Sequence, residues 1–498
     1  MPQSATSRTA SGTAGASLLA DRGDDESRLR RTVIGGPLAR IEVDDTVLGG
    51  VLASVTDETV ITAGLTATGH IDKRRRVLTG LVTVTAVLGL CLFRRENYDL
   101  VLARVLPRSP RQILDGAAPT GQALSTARTR LPPETMQAVF EHTASVTPPA
   151  GPSSYAFGLL LTAFDGTVFD LAATADIAAE FAIPSAGRYP QARLVTLVTC
   201  GTRWIIAASQ GSSALSEQHL VDKLADALLP GTLNLCDRNF FSMARWIRFT
   251  ATAAHLAWRV KNGAKSLPAR ITRTLPDGSA QVRLRESDSM LAYRRAKTGD
   301  RSLQRLPDTI ARLVEFTLTV ADTSGKARTT RFRILTTLLD HERYPAEQIA
   351  AVYAERWQVE IIYLRLKATL RGSGTRLRGQ TPRLAVQEIW GLLTVYNALV
   401  GLAVAAAVIL DVDPDEISFA TVLALTRNSA TTDSGCARCG HHPANPVDDL
   451  IAAITAQPRN RTNRQRASPR TKQQRRTERT RNVSYTITIT TPNLPKAE

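Results

Sequence analysis

The chain has 498 residues, 43% of them hydrophobic, and a formal net charge of +17. That length leaves room for roughly two to four domains with a full core, and the basic balance points to a polyanionic partner. Five cysteines in so long a chain exclude a disulfide framework and suit a reducing compartment.

Residues 1–35 are rich in Ser, Thr, Ala and Gly, and are expected to be disordered. They hold no apolar stretch of signal-peptide length, so a cytoplasmic, nucleoid-associated protein is expected. Residues 36–150 read as a helical domain. Inside it lies a basic cluster, Lys73, Arg74, Arg75 and Arg76, suited to phosphate contact, followed by an apolar helix over 77–93. The linker TPPAGPSS at 147–154 closes the domain.

Strand-like runs follow at 157–164, 168–171, 192–198 and 204–209, then a helix at 216–229 and a short strand at 232–236. Asp165 and Asp237 each close such a run, where a carboxylate can sit at the end of a strand. Acids so placed can converge on a hard cation, although an acid after a strand is more often a turn residue or helix cap. Residues 151–262 form the first part of this α+β unit. Residues 263–335 alternate between short apolar runs and turns, and read as a separate basic, β-rich insertion.

A second part, 336–412, opens with a long helix from Pro345 to about Leu370. On a regular helix Tyr353, Arg356, Glu360 and Lys367 share a stripe about 60° wide, beside the apolar face. The stripe is either a solvated salt-bridged face or the edge of a site that holds both metal and phosphate. The apolar run 389–410 is long enough to span a bilayer. Its Thr394, Tyr396, Asn397 and many small residues favour a core helix, so no membrane partner is expected.

Residues 413–455 read as a helix and loop. The loop carries Cys436, Cys439, His441 and His442, zinc-type ligands that lack the usual distant second pair. Residues 456–498 read as a basic disordered tail, with ten Lys/Arg against Glu478 alone over 459–481. Only nine of the 62 basic residues are lysine. That bias fits both phosphate contact and a GC-rich coding sequence.

Tyr353, Arg356, Glu360 and Lys367 have the Y-(2)-R-(3)-E-(6)-K spacing of the DDE transposases of bacterial insertion sequences, in the large fourth family. The chain resembles that family over about residues 40–410. FDGTVFDLAATADIAAEF at 164–181 resembles its first-Asp block, LCDRNFFS at 235–242 its second, and TTLLDHERYPAEQIAAVYAERWQVE at 336–360 the run into its Glu. The resemblance implies an RNase H-like core and Mg²⁺ or Mn²⁺ bound by Asp165, Asp237 and Glu360. It also implies cut-and-paste transposition with DNA partners, the terminal inverted repeats and target, and a homodimer in the end complex. Tyr353, Arg356, Lys367 and Arg238 would contact DNA. Family members that form hairpins hold a flipped base on a tryptophan of the insertion. None stands in 263–335, so Tyr293 or Phe316 would have to replace it. A catalytically inactive DNA-binding relic and a structure-specific nuclease on the same core are the other readings.

Overall fold

The computed structural model describes residues 7–10, 58–72, 78–105, 119–148, 151–185, 187–263, 267–321, 327–429, 446–459 and 484–496. Among the described residues, a short strand β1 (Ser7–Ala10) is followed by helices α1 (Glu58–Ala67), α2 (Gly80–Leu92), α3 (Tyr98–Val105), α4 (Gly121–Arg130) and α5 (Pro133–Ser145). Thr79 caps α2 by accepting from the Val82 amide. From Thr83 to Leu92 every residue of α2 is buried, which makes the apolar run a core helix.

The central layer is a mixed sheet. Its strands are β2 (Tyr155–Ala156), β3 (Leu159–Asp170), β4 (Gln191–Thr199), β5 (Ile205–Ser212), β6 (Thr232–Cys236), β7 (His255–Arg259), β8 (Ala269–Thr274), β9 (Ala280–Leu284), β10 (Thr309–Ala321), β11 (Ala327–Thr336) and β12 (Ser484–Thr490). Between them lie α6 (Ala175–Glu180), α7 (Glu217–Val221), α8 (Met243–Thr250) and α9 (Asp288–Thr298). Then follow α10 (Ala346–Tyr353), α11 (Gln358–Leu364), α12 (Pro382–Leu410), α13 (Phe419–Ser429) and α14 (Pro446–Thr455).

Strands β3, β4 and β5 run antiparallel in sequence order, while β6 lies parallel to β3 and β7 parallel to β6. Three antiparallel strands followed by two parallel to the first form the RNase H-like arrangement. The expected α+β fold, with helices before this core, is the one observed. Side chains alternate across the sheet. On β3, Leu161, Ala163 and Phe169 join a core with the N-terminal helices and α12, whereas Phe164 joins Trp246, Phe249 and Trp258 on the opposite face.

The long apolar helix α12 has the length and composition of a membrane span, yet most of it is buried against protein. Gly391 lets it approach α2 closely: a Cβ there would stand 3.0 Å from Cys91 Sγ.

Three expectations change. Asp165 does not close a strand, because β3 runs unbroken to Asp170. Residues 263–335 do not fold apart from the core. Their last strand, β11, pairs with β7 through Ile334↔Arg259 and Leu335↔Trp258, and the segment includes helix α9. The two termini are not wholly disordered either. The C-terminal strand β12 pairs with β10 from Glu315↔Thr490 to Ala321↔Ser484, and β1 pairs with β12. Strand β9 occupies only the first part of that β10 edge, through Leu313↔Ala280, so the remainder is free for β12. Lys73, Arg74, Arg75 and Arg76, the run 460–481, and Cys436, Cys439, His441 and His442 lie outside the described residues.

Ile487 and Ile489 pack on the core and Leu494 is buried. Ending the chain at residue 483 therefore removes the strand that lies between β1 and β10 together with this apolar surface, at a cost of about 3 kcal/mol or more. Thermal unfolding should show a Tm lower by roughly 5 °C. An unchanged Tm would mean that β12 does not dock.

Candidate active site

The parallel pairing of β3 with β6 runs from Leu160↔Thr232 to Ala163↔Leu235. The pairing stops there, and the two acids follow it on neighbouring segments: Asp165 lies two residues past Ala163 and Asp237 two past Leu235. Past that pairing the two strands part. Strand β4 continues to pair with β3 through Asp165↔Thr196 and on to Asp170↔Gln191. Strand β6 ends at Cys236, and the chain turns as the Phe240 amide donates to the Asp237 carbonyl at 3.1 Å. The two acids thus flank a notch where one sheet edge stops.

The third acid comes from a helix pinned to both strands. Tyr353, at the end of α10, donates its hydroxyl to the carbonyl of Cys236 at 3.0 Å, next to Asp237. Tyr363, on α11, donates to the carbonyl of Asp165 at 2.5 Å, and its oxygen lies 2.9 Å from Thr196 Oγ1. Glu360 lies between these two anchors. The helix is not the regular one expected. Residues Ala354–Trp357 tighten to a 3₁₀ turn and Arg365–Leu370 open to a π-helix. Interruptions of this kind change the angle per residue and are frequent at functional sites.

The single stripe is consequently split. Tyr353 is buried, with its hydroxyl used on the backbone, so it is a positioning group and not an exposed DNA contact. Lys367 sits beyond the acids, its Nζ 3.2 Å from Thr167 Oγ1. Arg238 is exposed beside Asp237.

Arg356 is the electrostatic centre. Its side chain is 9% exposed, and its Nη2 lies 3.9 Å from Glu360 Oε1. Burial works against its charge, but Tyr353, Asp165, Asp237 and Glu360 together hold its pKa above the ordinary value. Burial pushes the Asp165 carboxyl up to about 6; Arg356 and the Gly166 amide oppose the rise, and Glu217 and Glu360 add to it. These acids repel one another, and Arg356 is the cation that offsets the repulsion.

Three further residues belong to the site and carry no motif in the sequence. Glu217, at the start of α7, accepts from Asn239 Nδ2 at 2.9 Å, and a Cβ on Gly166 would stand 2.7 Å from its Oε1. It therefore links the loop after Asp237 to the strand of Asp165. Arg259, on β7, stacks over Phe332 at 4.3 Å with its Nη1 3.6 Å from Asp237 Oδ1. Tyr363 is the third. Its apolar neighbours hide it among the residues of the buried face.

The donor set suits a hard divalent cation, being all carboxylate oxygen. Asp237 Oδ1 is buried without a hydrogen-bond partner, which leaves an acceptor for such an ion. With Arg356 among the acids, no three His, Cys, Asp or Glu side chains among the described residues close on one point at metal distance.

Residues 47–141 match the family described as the insertion element 4 transposase N-terminal region, and residues 157–398 match the transposase DDE domain. The chain is 28% identical over 349 residues to the transposase InsG of insertion sequence element IS4 from Escherichia coli K12, covering 68% of this chain and 73% of that one. Among solved structures it is similar to piggyBac transposase in a synaptic complex with hairpin DNA. That likeness has a TM-score of 0.42 and 12% identity, over 82% of this chain and 85% of that one.

Replacing Tyr353 or Tyr363 by Phe deletes one hydroxyl and leaves a backbone carbonyl without its donor. Each change should cost about 1 kcal/mol in urea unfolding. Wild-type stability in both variants would show that the phenols do not pin the helix.

Proposed function

Because this chain belongs to the DDE transposases of the insertion element 4 family, we propose that it cuts DNA at the ends of an insertion sequence and joins those ends to a target. Asp165, Asp237 and Glu360 would hold the divalent cations of this reaction. The observation that carries the reading is the pair of tyrosine hydrogen bonds that tie the Glu360 helix to the carbonyl of Asp165 and to that of Cys236, next to Asp237. Mg²⁺ or Mn²⁺, when bound, supplies an activated nucleophile and offsets charge on the leaving oxygen in phosphoryl transfer.

The protein side of the mechanism follows from position. Asp165 offers its carboxylate from within β3, Asp237 offers one from just past the end of β6, and Glu360 is carried on α11. Arg356 is buried among acids and gains by turning its planar fork to a phosphate whenever those acids are otherwise compensated. Lys367 supplies a mobile point charge further along, over Thr167. Arg238 faces solvent beside Asp237, where a DNA backbone can reach it. The residues before 150, including Lys73, Arg74, Arg75 and Arg76, are assigned to holding the terminal inverted repeats. A second copy of the chain completes the end complex, and the work is done at the nucleoid in the cytoplasm.

A hairpin step requires an exposed aromatic in 263–335. Phe316 is buried and stacked on Phe332 at 5.1 Å, so it cannot hold a base. Tyr293, 67% exposed on α9, is the residue left for that role.

Changing Asp165 to Asn, Asp237 to Asn or Glu360 to Gln should abolish cleavage of terminal-repeat DNA and weaken Mn²⁺ binding, with folding retained. Wild-type cutting by any of the three would remove that residue from the site. Arg356→Ala and Lys367→Ala should each lose about 1.5–3 kcal/mol of DNA contact, ten- to a hundredfold in excision. Arg356→Lys should restore only part of it. A solvated salt bridge would instead cost under about 1 kcal/mol, so near-normal excision in both alanine variants would leave only that reading.

A further inference from the structure

Beyond Asp165, the same face of β3 carries Thr167 and then Phe169, each about 7 Å further along the strand. Each has a cation against it from the π-helical segment. Lys367 Nζ lies 3.2 Å from Thr167 Oγ1, and the Arg371 guanidinium lies 5.5 Å over the Phe169 ring. Arg371 is 6% exposed, and its Nε and Nη1 have no hydrogen-bond partner. Burial lowers the pKa of both side chains; Arg371 lowers that of Lys367 further, and Asp170 opposes the change in each. Asp170 has one oxygen taken by Gln191 Nε2 at 2.8 Å.

The row continues past the end of the strand. Exposed Arg376 lies 4.4 Å over the ring of Tyr189, which also has exposed Arg188 against it at 5.6 Å. Arg376 lines a cleft of about 420 Å³ together with Ala172, Thr174, Leu377, Arg378 and Gln380. Arg378 Nη2 donates to the carbonyls of Phe93, Arg94 and Glu96, and Arg376 is the exposed cation of the cleft lining.

We propose that Lys367, Arg371 and Arg376 form a phosphate track that leads a DNA strand from the three acids along β3 to the cleft, where a base stacks beside Tyr189. The proposal rests on the DNA-cutting reading above and names where the strand goes after the reacting phosphate. The step along the strand is comparable to one nucleotide of an extended backbone. An aromatic ring already faced by a guanidinium is a sequence-tolerant platform for a base. Arg371 has donors to spare and is packed too tightly to turn away.

The test is binding of a labelled oligo-dT single strand to the full chain, followed by fluorescence anisotropy as salt is raised. The slope of log K against log salt should flatten by about 0.7 for each cation removed. Arg371→Gln reports on the track, and Arg188→Ala with Arg376→Ala reports on the cleft through exposed positions that leave the core untouched. Tyr189→Ala should weaken binding without altering the slope, because it removes stacking and not charge. If the wild-type chain binds no DNA, the DNA-cutting reading falls and the track with it. If the wild type binds and the Arg188/Arg376 variant keeps its slope, the track alone is overturned.

Discussion

The hydroxyls of Tyr353 and Tyr363 reach two backbone carbonyls, those of Cys236 and Asp165, on neighbouring parallel strands. Those carbonyls belong to the residue before one candidate acid and to another candidate acid itself. The helix that carries Glu360 is thereby fixed in rotation and in height above the strand ends. A buried carbonyl without a donor is costly, so the helix cannot slide along the sheet without losing both bonds. The register of β3 on β6, the end of β6 at Cys236 and the continuation of β3 along β4 set the other half of the geometry. These two constraints hold the segments that carry Asp165, Asp237 and Glu360.

The charge arrangement is the second consequence. Burial raises the Asp165 pKa to about 6, and Glu217 and Glu360 add to the rise. Arg356 offsets it from within the cluster, but a single guanidinium cannot satisfy all the oxygens. Its own Nε and the Oδ1 of Asp237 are both left without a hydrogen-bond partner. Buried charges that remain partly unmatched are expensive to keep. The site therefore gains stability from any ligand that brings both positive charge for the acids and phosphate oxygen for the arginine.

The segment between the second acid and the third does more than separate them. By pairing β11 with β7, it carries the central sheet outward on the side where the acid-bearing strands would otherwise leave an edge. Phe332 on β11 then packs against Arg259 and lies 6.3 Å from Tyr353, so the added strand also supports the back of the site. The new outer edge, β10, is covered in turn by β9 and β12. Exposed edges invite pairing with other chains, and this chain closes its edge with its own C-terminal strand.

The order of helices, strands and insertion was legible from periodicity and turn residues, because both depend on short-range pattern. Asp165, Asp237, Glu360 and Arg356 stood out only with the family resemblance, because patterning alone left a turn acid and a solvated face as open readings. A straight helical wheel put Tyr353 and Lys367 on one face with them. It could not register the 3₁₀ and π turns, which alter the angle per residue where the tertiary contacts demand it. The β12 strand was visible as alternation in VSYTITIT, but its partner edge on β10 is over 160 residues away in the chain. Glu217, Arg259 and Tyr363 left no local trace, since their place at the site comes wholly from contacts across the sheet. Motifs and their spacing thus determined which family this chain resembles. Long-range hydrogen bonds decided which acids flank the notch, which tyrosine positions and which arginine lies among them, because such bonds depend on strand register and no window of sequence contains it.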